Sequence, residues 1–190
     1  MSQLDTPHSV RIAAAAETDL PDIAQLAGVI WRACYPGIIT HAQIDYMLAR
    51  MYALDVMREE IRAQAIHYDM LSLDGRPSGF AAYGPTEVGT PRRGVRTAQR
   101  AVPTFKLHKL YLLPEHQGCG LGSRLLQHVE CKVRRLGASR LILAVNKRNA
   151  KAIAAYKRNG FGVVESVVTD IGGGFVMDDY VMAKDLVACS

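Results

Sequence analysis

The sequence predicts an α/β fold, and three features carry that expectation. Short apolar runs of strand character alternate with segments whose apolar residues recur at helical spacing, as Leu20, Ile23, Leu26, Ala27, Ile30, Trp31 and Cys34 do. The run Leu141 to Val145 is almost wholly apolar, as a strand at the centre of a sheet should be. Between a strand over Phe105 to Leu113 and a helix over about Gly120 to Leu136 lies a glycine-rich turn.

In chain order, Val10 to Ala15 reads as the first strand. Thr18 can cap the helix that follows, with Pro21 in its first turn, where a missing N–H costs little. Pro36 and Gly37 break that helix. Thr40 with Gln43 forms a capping-box pattern for a second helix carrying Ile44, Met47, Leu48 and Met51, and further helix extends to about Ala65. His67 to Leu73 and Ser78 to Tyr83 form a hairpin about Asp74-Gly75, in which the following Arg-Pro implies a loop longer than two residues. Residues 85–104, rich in Gly, Pro, Thr and Arg, read as a long mobile loop. Gly137 ends the helix after the glycine-rich turn, and Asn149 to Arg158 is another helix, closed by Gly160. Phe161 to Val168 and Tyr180 to Leu186 are the last strands, joined by a loop containing Gly172, Gly173 and Gly174.

A chain of 190 residues favours one domain, 1–190, able to bury roughly 70% of its unfolded surface. With 49% hydrophobic and 22% charged residues it has a globular composition. No apolar run approaches the ~20 residues a membrane span needs. The opening residues lack the basic flank and apolar stretch of a secretory signal, so the expected location is cytoplasmic. Cys34, Cys119, Cys131 and Cys189 show no CxxC spacing, so neither a zinc site nor any other metal is expected. The net charge is +5, with Arg92, Arg93, Arg96 and Arg100 clustered in the long loop. Aromatic residues do not interleave with them, so nucleic-acid binding is not the favoured reading.

The turn Gln117-Gly118-Cys119-Gly120-Leu121-Gly122 opens a helix. The first N–H groups of a helix have no partner within it, and the helix dipole adds positive potential there. Glycines let the backbone approach a ligand, so the turn suits a phosphate. A nucleotide-binding lysine loop would need Gly-Lys-Ser/Thr, which is missing. The dinucleotide pattern Gly-x-Gly-x-x-Gly is also absent, since these glycines are spaced Gly-x-Gly-x-Gly. A purely structural turn remains the alternative.

Gln117-x-x-Gly120-x-Gly122 after an apolar strand resembles the acetyl-CoA pyrophosphate loop of the GCN5-related N-acetyltransferase (GNAT) superfamily. The stretch from Leu141 through Asn149, Ala152, Tyr156 and Gly160-Phe161 resembles that family's next strand and helix. The likeness extends to the opening strand and helix, to Trp31-x-x-x-Tyr35-x-Gly37 and to Asp179-Tyr180-Val181-Met182. It implies a GNAT fold, a mixed twisted sheet of about six to seven strands with helices on both faces.

The resemblance also implies roles. Leu110, Tyr111 and Leu112 would offer backbone groups to the pantetheine arm. Gly118, Cys119, Gly120, Leu121, Gly122 and Ser123, after Gln117, would bind pyrophosphate through N–H groups. Asn149 reads as a helix cap, and the family adds a contact to CoA. Tyr156, seven residues on, shares a face with Asn149 and would protonate the departing thiolate; a thiol has a pKa of about 8.5 and a phenol about 10. Where many members carry a glutamate base, this chain has Lys106, which leaves His108 as the nearby candidate base. Trp31 and Tyr35 either line the acceptor pocket or belong to the core. The arginine loop would favour an acceptor bearing negative charge over a polyamine.

The expected activity is therefore acetyl transfer from acetyl-CoA, as co-substrate, to a primary amine of a small molecule or protein, by direct attack in a ternary complex. The alternative is a CoA-binding regulatory or interaction module with little turnover. A homodimer is compatible with the family, and no membrane partner is expected.

Overall fold

The apolar alternation folds into seven strands and five helices, described over residues 9–86 and 102–186 of a computed structural model. The arginine cluster and Cys189 lie outside the described residues. The strands are β1 (Val10–Ala14), β2 (His67–Leu73), β3 (Arg76–Pro85), β4 (Thr104–Leu112), β5 (Arg140–Asn146), β6 (Gly162–Gly172) and β7 (Phe175–Asp185). The helices are α1 (Leu20–Cys34), α2 (His41–Met51), α3 (Leu54–Arg62), α4 (Leu121–Arg135) and α5 (Ala150–Arg158). One sheet runs in the order β1-β2-β3-β4-β5-β7-β6, antiparallel except for the parallel pair β4–β5.

Two cores sandwich this sheet. On one face α4 buries Leu125, Leu126 and Val129 against Leu107, Leu141, Leu143 and Met182, with Ile153 and Tyr156 of α5 packed alongside. On the other, α1 to α3 bury Ile23, Ile30, Trp31, Ile44 and Met57 against Met70 and Phe80. Each fully buried Leu or Ile contributes about 1.5–3 kcal/mol.

Local details depart from expectation at four places. Asp19, not Thr18, precedes α1; Thr18 sits in a 3-10 turn over Glu17–Asp19, and the Asp19 carboxylate accepts from Ala16 N at 2.8 Å. At α2 only half of the capping box forms. Thr40 accepts from Gln43 N at 3.2 Å, but the Gln43 side chain reaches across to Val176 O on β7. The β2–β3 turn is two residues long, Leu73 pairing with Arg76 while Asp74 and Gly75 take φ of 48° and 78°. The mirror-image turn fits the strand twist, and a bulge at Ser78 accommodates Pro77. Finally, β6 and β7 are longer than predicted and meet in a tight hairpin through Gly173 and Gly174. Their interrupting Asp, Thr and Gly residues obscured the strand pattern in the sequence.

Candidate active site

The central strands part. β4 pairs with β5 from Thr104↔Arg140 to Leu107↔Leu143 and no further, although β4 continues to Leu112 and β5 to Asn146. The cause lies one residue on. Against β3, Ala82 faces Lys109 and Tyr83 faces Leu107, so His108 is an extra residue, a β-bulge. A bulge bends its strand and reverses the side-chain alternation beyond it. Accordingly Phe105 and Leu107 point to the α4 face, whereas Lys109 contacts Tyr68 and Tyr111 packs in the α1 face. The edge of β4 over Leu110, Tyr111 and Leu112 that turns toward β5 is thereby left without a strand partner among the described residues.

That gap ends at the glycine-rich turn. Gly118 and Gly120 take φ of 87° and 86°, a region that side-chain-bearing residues enter only with strain. A Cβ at either position would meet none of the described residues within 4 Å, so the turn is open toward them. Gly120 is the N-cap of α4 and no side chain closes this helix start. The N–H groups of Leu121, Gly122 and Ser123 are thus the unpaired donors of the first turn. The arrangement can receive an anion at the turn and an extended chain along β4.

Side chains brace the cradle rather than enter it. Gln117 Nε2 donates to Leu112 O at 3.0 Å and contacts Cys34 Sγ at 3.4 Å, while Lys151 Nζ donates to Gln117 Oε1 at 2.7 Å. One residue thus ties β4, the end of α1 and α5 together. Asn149 caps α5, its Oδ1 accepting from Ala152 N at 3.1 Å. Ser123 Oγ accepts from Asn159 Nδ2 at 3.1 Å, and the exposed Cys119 thiol donates to His116 O.

Phenols converge on the gap from both faces. Tyr156 is half-buried on the α5 side, edge-on to Phe161, and its hydroxyl has no hydrogen-bond partner among the described residues. Burial first, then the nearby Tyr35, raises its pKa well above that of a free phenol. On the α1 side, the hydroxyls of Tyr35 and Tyr111 lie 3.1 Å apart. Trp31 stacks on Tyr35 with centroids 4.5 Å apart, and at 1% exposure it belongs to the core behind the site. Burial holds Tyr35 and Tyr111 protonated too.

His108 keeps solvent contact at the bulge. Lost hydration first, then the Lys106 and Lys109 ammonium groups, push its pKa down to about 4, so its imidazole is neutral at pH 7. Two residues at the site were not singled out from the sequence. From the sequence Tyr111 stands out only for its backbone and Asp179, buried on β7, only as part of a strand. The signal for Asp179 was an acid within a run that otherwise patterns as strand. Among the described residues, no group of His, Cys, Asp and Glu could hold a metal, and no helix is long and apolar enough to cross a membrane.

Residues 29–161 match the Acetyltransferase (GNAT) family. The chain is 35% identical over 82 residues to an uncharacterized N-acetyltransferase of Mycobacterium tuberculosis, covering 43% of this chain and only 52%, about half, of that relative. It is 27% identical over 170 residues to the spermidine N(1)-acetyltransferase of Thermoplasma acidophilum, covering 90% of this chain and 96% of that one. The crystal structure of the PaiA N-acetyltransferase from the same organism, in complex with coenzyme A, superposes with a TM-score of 0.74 at 23% identity, over 93% and 99% of the two chains. The parted strands and open glycine turn thus sit on a shared fold. This chain belongs to the GNAT acetyltransferase family.

Proposed function

We propose that this protein transfers the acetyl group of acetyl-CoA to a primary amine of a small molecule or protein, by direct attack within a ternary complex. The observation that carries the reading is the partnerless edge of β4 leading into the uncapped N-terminus of α4. The pyrophosphate sits on the N–H groups of Gly118 to Ser123, where donors and dipole favour an anion. The pantetheine arm pairs with the backbone of Leu110 to Leu112 as an added strand. This places the thioester where the phenols of Tyr156, Tyr35 and Tyr111 converge.

Gln117 and Asn149 act by holding the walls. Transfer needs a neutral amine and a protonated leaving sulfur. Tyr156, protonated and unpartnered, supplies the proton to sulfur. His108 is neutral at pH 7, but the lost hydration and two lysines that lower its pKa to about 4 also make it a weak acceptor for an ammonium proton. Binding both reactants in the gap supplies the entropic part of the acceleration.

The test is thiol release over a panel of spermidine, free amino acids and peptides with a free N-terminus, alongside calorimetry with CoA. Expected are CoA binding and acetylation of at least one amine. CoA binding with no transfer to any amine would favour a binding module instead, and no CoA binding would overturn the reading altogether.

A further inference from the structure

We infer that Asp179 is the acceptor-facing carboxylate of this site, the group that seats the incoming ammonium and takes its proton; the inference rests on the acetyl-transfer reading above. Three observations carry it.

The first is position. Asp179 pairs with Asn146, the last residue of β5, just where β5 has left β4. On β7, Tyr180 and Met182 pack in the α4 face and Met177 in the α1 face, so strand alternation turns Asp179 to the α1 face. That is the face of Tyr35 and Tyr111, and Asp179 is close enough to Tyr35 for its charge to act on the phenol.

The second is its lack of a partner. Asp179 is 9% exposed, and its buried Oδ1 accepts no hydrogen bond from the described residues. A buried carboxylate left unpaired is unfavourable, and a catalytic role is one of the reasons a fold retains such a group. The neighbouring cations do not close the gap. Lys147 pairs with Asp178 and lies over the Tyr180 ring, and Lys106 on β4 makes no hydrogen bond to Asp179.

The third is access. Ala144 pairs with Val181 in the same register, and although it lies on a central strand it is exposed, because α1 to α3 do not cover β5 there. A groove of about 430 Å³ opens between the loop after α1 and the start of β7, lined by Gly37, Ile39, Gln43, Asn146, Arg148 and Asp178, the residue before Asp179. The groove thus reaches Asn146, the residue of β5 that pairs with Asp179 where β5 has left β4.

The groups facing Asp179 are Tyr35 from α1, Lys106 from β4, Lys147 after β5 and Asp178 beside it. Lost hydration first, then Asp178, raises its pKa, and Lys106 and Lys147 partly oppose this. A more basic carboxylate is a better proton acceptor for an ammonium. In the step, one proton passes from the ammonium to Asp179 and then to water. The freed nitrogen lone pair forms the N–C bond to the acetyl carbon. The C–S bond breaks as Tyr156 protonates the sulfur, and the second proton lost by the nitrogen restores Tyr156.

The experiment compares wild type with Asp179→Asn on spermidine and the peptide amines, by thiol release, melting temperature and calorimetry with CoA and with the amines. Asp179→Asn should fold with an unchanged or raised melting temperature, bind CoA as wild type does, and lose roughly 100- to 1,000-fold in kcat/KM. Trifluoroethylamine, already neutral at the assay pH, should lose far less. Asp179→Ala serves if the Asn variant fails to fold. Loss within threefold, or equal loss on both amine types, overturns the inference while leaving acetyl transfer standing. A wild type that binds CoA but neither acetylates nor binds any amine overturns both.

Discussion

Tyr35 and Tyr111 share a hydrogen bond at 3.1 Å that joins the end of α1 to β4 at the point where β4 leaves β5. Both rings pack on Trp31, at 4.5 and 5.9 Å between centroids, so the hydroxyl pair is held from behind by the core. Removing one hydroxyl should leave the rings in place and free the other. Tyr35→Phe is therefore expected to cost about 1 kcal/mol of stability. It should lower kcat/KM for the amine about tenfold while CoA affinity stays within twofold. Thermal melts, steady-state kinetics and calorimetry read the three quantities, and a large loss of CoA affinity would move Tyr35 to the other half of the site.

Tyr156 presents the opposite case, a half-buried hydroxyl with no partner among the described residues. Its removal breaks no bond in the resting protein. Tyr156→Phe should thus melt at the wild-type temperature and bind CoA normally, yet slow transfer about 100-fold, the range for loss of a general acid. The pre-steady-state rate of thiol release is the measurement, and an unchanged rate would remove Tyr156 from the mechanism.

His108 is set apart by the bulge, with a pKa pushed down to about 4 by lost hydration and two lysines. A histidine depressed in the folded state resists protonation there but not in the unfolded chain. Stability from this residue is complete above the unfolded pKa of about 6.5 and is lost as pH falls toward 4. His108→Gln cannot titrate, so its melting temperature should fall less than that of wild type over that window. If His108 is also the base, the variant loses activity at neutral pH as well. Unequal behaviour of the two readouts separates an electrostatic role from a catalytic one.

Much of this was legible in the sequence, and the rest had physical reasons to be hidden. The strand–turn–helix about Gly118 and Gly120 was readable because positive φ demands glycine and leaves a visible mark. The α5 cap at Asn149 was readable for the same kind of local reason. The parting of β4 from β5 was not, since a bulge at His108 depends on pairing with Ala82 and Tyr83, some 25 residues earlier in the chain. The Gln43 side chain left its expected capping role for a carbonyl on β7, a partner no local pattern announces. Asp179 was hidden because sequence shows an acid in a strand but not its burial or its missing partner.

Gly120 allows the cradle to be tested apart from the chemistry. It takes φ of 86° as the N-cap of α4, and a Cβ there would meet none of the described residues within 4 Å. Gly120→Ala therefore causes no clash, and its cost is backbone strain of about 1–2 kcal/mol. The backbone relieves that strain by rotating toward negative φ, which turns the N–H groups of Leu121 and Gly122 away from the open face. CoA affinity should fall at least tenfold, with a loss of melting temperature no larger than the strain implies. Gly137, at the other end of the same helix, has the same sign of φ at 88° and the same empty surroundings. Gly137→Ala carries matching strain far from the turn, so it should destabilise to a similar degree and leave CoA affinity intact. Equal loss of affinity in both variants would show that the effect is global destabilisation and that the turn does not hold the pyrophosphate.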